Sequence, residues 1–277
     1  FFFKQTTAYE MLRSLVGSEM CIRDRIKKKG KKVSVLLRGY GSTNKSIFYK
    51  VSKSDPFNKV GDEALLYANC VPTYITKNRV FAIEKIINEK QTDIILLDDG
   101  FQDPSFHKDF SILVVDGTRG FGNKKCLPAG PLRENIFQGF KRADALVIVG
   151  SSLYRFDTFP SHLKVIRSTL KPVETGMNWK EGKYIAFAGI AHPDKFFETL
   201  RSVGANVIDC VALSDHQKLD GQILKRLERR AETAQAQLVT TEKDAVRLPN
   251  SFRKKVLSLP VWVEFENKDE LENLFNN

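Results

Sequence analysis

The most chemically suggestive stretch is Leu97-Asp98-Asp99-Gly100, two adjacent carboxylates at the end of the apolar run Ile94 to Leu97. A hard divalent cation prefers carboxylate and water oxygens, and a strand-end aspartate is where many phosphate-transfer enzymes hold Mg²⁺. Two buried carboxylates with no basic neighbour and no cation would repel each other, so the competing reading is a turn with two solvated aspartates. Gly61-Asp62-Glu63 precedes a helical run, which sets both acids where helix-terminal amides lack partners. Asp62 there serves either as a simple cap or as a reactive carboxylate. Asp215-His216 follows an apolar run, and His216 reads as a general base oriented by a carboxylate or as a surface histidine. The stiff loop Pro128 to Glu134 (PAGPLRE) ends in Arg133, suited to bidentate phosphate contact or to an ordinary loop salt bridge. Gly39 to Ser46 (GYGSTNKS) matches GxxxxGK[ST] except at Asn44. Extended-looking residues 47–51 follow instead of a helix, so it reads as a glycine turn.

These residues need elements to hold them. The runs Val33 to Leu37, Ile94 to Leu97, Ile112 to Val115 and Ala145 to Val149 are continuously apolar rather than alternating. That pattern predicts strands covered on both faces, hence a mostly parallel α/β sheet whose chemistry gathers beyond the strands' carboxyl ends. Helical spacing predicts helices over 62–68 and 80–88. A second unit begins near residue 183, with strands over 184–188 and 207–213, a helix over 194–203 ended by Gly204, and a charged helix over 222–236. The charged helix reads as a solvated face. Residues 1–25 read as a foreign leader, similar to translated sequencing-adapter sequence. Residues 26–150 read as the core, 151–182 as a linker region and 183–277 as a smaller α/β domain.

Composition narrows the classes further. With 44 Lys+Arg against 33 Asp+Glu the net charge is +11, which implies a polyanionic partner: nucleic acid, an anionic membrane surface or a phosphorylated substrate. Hydrophobic residues make up 42%, too many for a disordered chain. The four cysteines form no CxxC pair, which argues against a thiolate metal site or a disulfide scaffold. No uncharged apolar stretch reaches the roughly 18 residues a membrane span requires.

The ordered set resembles the tetraacyldisaccharide 4′-kinase family. The resemblance rests on LLRGYG (36–41), VGDEALLYA (60–68), IILLDDGFQ (94–102), LVVDGTRGFGNKKCLPAGPLRE (113–134), SDH (214–216) and VTTEKDAVRL (239–248). It implies a P-loop-NTPase-like, mostly parallel α/β sheet with a second, smaller α/β lobe, using ATP and Mg²⁺. It also implies a lipid A precursor glycolipid as substrate, an anionic membrane surface as partner, no nucleic acid, and a peripheral place on the cytoplasmic face of the bacterial inner membrane. Asp62 and His216 match a catalytic dyad, Asp98 and Asp99 match acidic positions around the metal and nucleotide, and Glu63, Arg79, Arg133 and Glu134 match nucleotide- or substrate-binding positions. The chain departs from the family in three places. Asp103 stands where the family has the histidine of DDGFQH, and Gln217 where it has the last histidine of a DHH-type motif. The family's GxxxxGK[ST] loop and membrane-associating segment are missing ahead of residue 33, which implies a truncated kinase; the alternative is a non-catalytic nucleotide- or membrane-binding remnant.

Overall fold

The computed structural model describes residues 2–6, 30–151, 153–156, 158–214, 217 and 219–267. Two compact units emerge, Phe1–Leu170 with Val263–Asn277, and Lys171–Trp262. The first contains β1 (Phe2–Thr6), β2 (Val33–Leu37), β3 (Phe48–Lys50), α1 (Phe57–Val60), α2 (Asp62–Ala68), β4 (Thr73–Thr76), α3 (Arg79–Asn88), β5 (Ile94–Asp98), β6 (Phe110–Asp116), α4 (Ile136–Arg142), β7 (Ala145–Val149), β8 (Lys164–Pro172) and β13 (Val261–Phe265). Its sheet runs β13-β8-β7-β6-β1-β5-β2-β4-β3. From β8 to β4 every pairing is parallel, and β3 joins β4 antiparallel at the edge. The expected parallel α/β sheet is present, and its cause is visible in the burial. All five residues of β2 and of β7 are buried, so neither face of those strands meets water. The carboxyl ends of the parallel strands lie on one edge, which collects Arg38 after β2, Asp98 at the end of β5 and Asp116 at the end of β6. Asp116 is buried there and accepts the amides of Thr118 and Arg119, which makes it a turn cap.

The second unit contains β9 (Lys183–Ala188), α5 (Pro193–Ser202), β10 (Asn206–Ala212), α6 (Gly221–Ala234), β11 (Gln237–Thr241), α7 (Glu242–Ala245), α8 (Asn250–Arg253) and β12 (Val256–Leu259). Its parallel sheet runs β10-β9-β11-β12. Successive residues of β9 alternate between two cores: Tyr184, Ala186 and Ala188 pack with Phe196, Phe197 and Leu200 of α5, while Ile185 and Phe187 pack with Leu224 and Leu227 of α6. A single apolar run can therefore serve two faces.

Strand β8 occupies a stretch whose prolines and polar residues suggest irregular chain. Its burial alternates, with Ile166 and Ser168 inward and Lys164 and Arg167 outward, so it lacks the uninterrupted apolar signature of the central strands. The glycine turn at 39–46 is seen as expected: Ser42 donates to the Lys59 carbonyl, Asn44 accepts the Ser46 amide, and β3 follows rather than a helix.

Candidate active site

Arg79 organises the turn after β5. It is the first residue of α3, whose start is capped by the Asn78 side chain accepting the Phe81 amide. Although only 5% exposed, its guanidinium donates 2.8 Å bonds to the carbonyls of both Asp98 and Asp99 and reaches Asp103 at 3.3 Å. Burial pulls the Arg79 pKa down, as does neighbouring Arg38, while Asp103 and Asp99 push it up. It stays protonated, because the guanidinium starts so high. Asp103 also faces Arg38 at 3.5 Å. Burial pushes the Asp103 carboxyl up, but bonds from Ser105 and Arg79 outweigh it and hold the pKa below its ordinary value. A depressed carboxylate pKa stabilises the fold at neutral pH, and that contribution is lost as pH falls through the folded value. The departure at position 103 thus has its own partners, two arginines from elsewhere in the chain.

The carboxylates are not without basic neighbours, contrary to what the local sequence suggests. Asp99, in the left-handed region at φ 51°, is ion-paired to Arg133 of the PAGPLRE loop. Arg133 also reaches the Gln102 side-chain oxygen at 3.4 Å, and Gln102 donates to Glu134 at 2.9 Å. Glu134 closes the chain through an ion pair with Arg142, whose guanidinium stacks 4.5 Å over the buried Phe101 ring. The DDGFQ turn and the PAGPLRE loop therefore form one hydrogen-bonded body. The loop is tight: a Cβ on Gly130 would lie 2.3 Å from the Lys125 carbonyl oxygen, so only glycine fits. Directly after Glu134, Phe121, Asn135, Phe137, Phe140, Tyr154 and Phe159 line a small pocket of about 120 Å³. Phe137 is 70% exposed beside it.

Asp62 opens α2 and is 8% exposed; its carboxylate accepts the Glu63 amide at 3.0 Å. The cap position belongs to Gly61, at φ 92°, where a Cβ would meet the Tyr40 carbonyl oxygen at 2.9 Å. The turn after β2 thus packs against the start of α2 on one side and sends Arg38 to Asp103 on the other. Asp62, Glu63, Arg79, Asp98, Asp99, Arg133 and Glu134 all belong to the first unit. His216, like Asp215, lies outside the described residues. Its flanks are anchored within the second unit by the TTEKD segment. Buried Asp244 accepts the Gly189 amide at 3.0 Å and the Thr241 hydroxyl at 2.8 Å, and pairs with Arg247 at 3.3 Å. Arg247 in turn donates to the Gln217 carbonyl. Burial dominates at Asp244 and raises its pKa despite these bonds.

A fit to a metal ion can be judged from the donors. Asp98 and Asp99 offer hard oxygens at a strand end, in line with Mg²⁺, which takes one or two carboxylates and completes its shell with water and phosphate. Among the described residues no group of three His, Cys, Asp or Glu side chains converges as a full protein cage.

A parallel α/β sheet with strand-end aspartates braced by arginines, tied to an arginine-bearing loop, fits a phosphotransferase-type protein. Comparison with known proteins gives the family. The family model for tetraacyldisaccharide-1-P 4′-kinase matches residues 19–277, and the chain belongs to this kinase family. A tetraacyldisaccharide 4′-kinase of Jannaschia sp. (strain CCS1) is 40% identical over 259 residues, covering 92% of this chain and 79% of the relative. One from Dinoroseobacter shibae is 44% identical over 233 residues, covering 82% and 69%. Among solved structures, LpxK from Aquifex aeolicus in complex with ATP matches with a TM-score of 0.78 at 23% identity, over 99% of this chain and 86% of that one, a likeness of fold.

Two substitutions separate structural from chemical roles. Arg133→Ala removes an ion pair whose members are 33% and 42% exposed, so the fold should lose no more than about 1 kcal/mol. A charge-stabilising role for Arg133, as the family resemblance implies, predicts a fall in phosphate transfer of about 10²-fold or more; thermal melting and a transfer assay on the same sample check both. Asp244→Ala takes the acceptor from the Gly189 amide and the counter-charge from buried Arg247, which keeps only the Gln217 carbonyl. It should destabilise the second unit by about 3–5 kcal/mol, read by chemical denaturation.

Proposed function

We propose that this chain provides the catalytic framework for ATP-dependent phosphorylation of the 4′-hydroxyl of tetraacyldisaccharide 1-phosphate, a step of lipid A biosynthesis. The observation that carries the reading is the single network joining Asp98 and Asp99 to Arg79, Arg133 and Glu134. Phosphoryl transfer demands positioning and charge neutralisation more than covalent chemistry, and this network supplies both. When bound, ATP with Mg²⁺ supplies the phosphoryl group. Asp98 and Asp99 would hold the metal, and Arg79 fixes the backbone that carries them. Arg133 offsets negative charge beside Asp99, with Glu134 and Gln102 setting its direction. Asp62 accepts the proton of the attacking sugar hydroxyl, and His216 keeps the partner role that the family resemblance implies. Glu63, next to Asp62 in α2, keeps the nucleotide- or substrate-binding role that the family resemblance implies. The aromatic pocket after Glu134 offers apolar surface to the substrate's acyl portion. The protein would work as a peripheral protein at the cytoplasmic face of the inner membrane, where its lipid substrate lies; among the described residues no helix is long and apolar enough to cross a membrane.

A second reading is a remnant that binds without turning over, favoured by the near-match to GxxxxGK[ST] at Gly39 to Ser46, which has Asn44 for the last glycine and runs into β3 rather than a helix. One experiment separates them. Transfer from radiolabelled ATP to the glycolipid in detergent micelles is measured for the chain as it stands and for a form in which a relative's segment, carrying the strand equivalent to β1 together with its GxxxxGK[ST] loop, replaces residues 1–30. The kinase reading expects robust transfer in the second form. Absence of transfer in both forms supports the remnant.

A further inference from the structure

Helix α6 has segregated charge. Asp220 caps its start by accepting the amides of Gln222 and Ile223, and Leu224 and Leu227 are buried against β9. Its acids gather on one side: Glu228 is ion-paired to Lys255, and Glu232 acts on the same ammonium. Its bases gather on another. Lys225, Arg226, Arg229 and Arg230 line an open groove of about 780 Å³ between α6 and β10, the edge strand of the small sheet. One carboxylate, Asp209, lines the groove, and it pairs with Arg230 at 3.1 Å. Lys225, Arg226 and Arg229 have no acidic partner among the described residues. The groove also has an apolar side, with Ile185 in its floor and Ile208 on β10 43% exposed. No aromatic side chain lines it.

We propose that this groove docks the headgroups of anionic phospholipids at a bilayer surface. Four cations set against one carboxylate match a sheet of phosphates, each cation near an anionic surface contributing about 1 kcal/mol. The exposed Ile208 suits the boundary between headgroups and acyl chains, where an apolar side chain can leave water while its basic neighbours stay with the phosphates. A single-stranded nucleic acid would want aromatic platforms for its bases, and the groove has none. The inference rests on the reading that the substrate is a membrane lipid, and names the part of the second unit that would hold the protein beside it.

The test uses the full chain and vesicle flotation. Wild type and the double variant Lys225→Glu/Arg229→Glu are mixed with phosphatidylcholine vesicles, and with vesicles containing about one third phosphatidylglycerol. Both positions are exposed, so the fold should survive, and a matched circular-dichroism melt checks it. The milder Lys225→Gln/Arg229→Gln pair guards against a folding failure. Wild type should bind the phosphatidylglycerol vesicles, weakening with added salt, and the charge-reversed form should bind at least about tenfold more weakly, with the glutamine pair between. Equal binding by wild type and charge-reversed protein, or no binding by wild type, overturns the proposal. So does groove-dependent binding to single-stranded nucleic acid that exceeds binding to the vesicles. Transfer in detergent micelles by the form carrying a phosphate loop should not change with these substitutions. If that form fails to transfer while groove-dependent vesicle binding persists, the kinase reading fails and the docking site stands.

Discussion

Replacing Asp62 by asparagine, in the form supplied with a phosphate loop, should lower turnover by about 10²–10⁴-fold, the usual contribution of a positioned general base. Asparagine keeps an oxygen that can accept the Glu63 amide at the start of α2, so the helix should retain its first turn. What it loses is the capacity to take a proton. The loss should fall on kcat with KM nearly unchanged, because binding does not depend on proton acceptance. Asp62→Ala should match it in rate and cost a further 1 kcal/mol or so in stability at the helix start. Normal turnover in Asp62→Asn would remove Asp62 from the chemistry and return it to a structural role at the head of α2.

The second large effect is expected at Arg79. Its guanidinium bonds both Asp98 and Asp99 through their carbonyls while pairing with Asp103. Arg79→Ala would leave two carbonyls and a partly buried carboxylate without that donor. The first unit should lose about 3 kcal/mol. Turnover should collapse as well, since the turn that aims the carboxylates is no longer fixed. Arg79→Lys should not rescue it, because an ammonium cannot reproduce a planar fork spanning three acceptors. Denaturant unfolding and transfer rates on the same variants check both halves. A variant as stable and active as wild type would show that the turn holds its shape without Arg79.

Much of the framework was legible in the sequence because burial on both faces leaves uninterrupted apolar runs. Val33 to Leu37 and Ala145 to Val149 can hardly be anything other than central strands of a parallel sheet. β8 was not legible, because exposed Lys164, Arg167, Leu170 and Lys171 interrupt buried Ile166 and Ser168. The site divides the same way. Asp98, Asp99, Arg133 and Glu134 stand in motifs visible along the chain. Their couplings are invisible there, since Arg79 meets Asp103 across 24 positions and Arg133 meets Asp99 across 34. The two aspartates therefore read as isolated acids until the fold brings arginines to them. Helix α6 reads as a solvated face, and its bases are exposed as expected; not legible is that the fold gathers those bases along one groove and turns Glu228 toward Lys255.

The central claim is that this framework directs a phosphoryl group to one sugar hydroxyl. Phosphorus NMR of the glycolipid recovered after incubation with ATP, Mg²⁺ and the form carrying a phosphate loop reads that position directly. The account predicts a new phosphomonoester at the 4′ carbon beside the existing 1-phosphate, and none with Asp62→Asn. A product phosphorylated elsewhere, or an unchanged glycolipid from a folded protein, would contradict it.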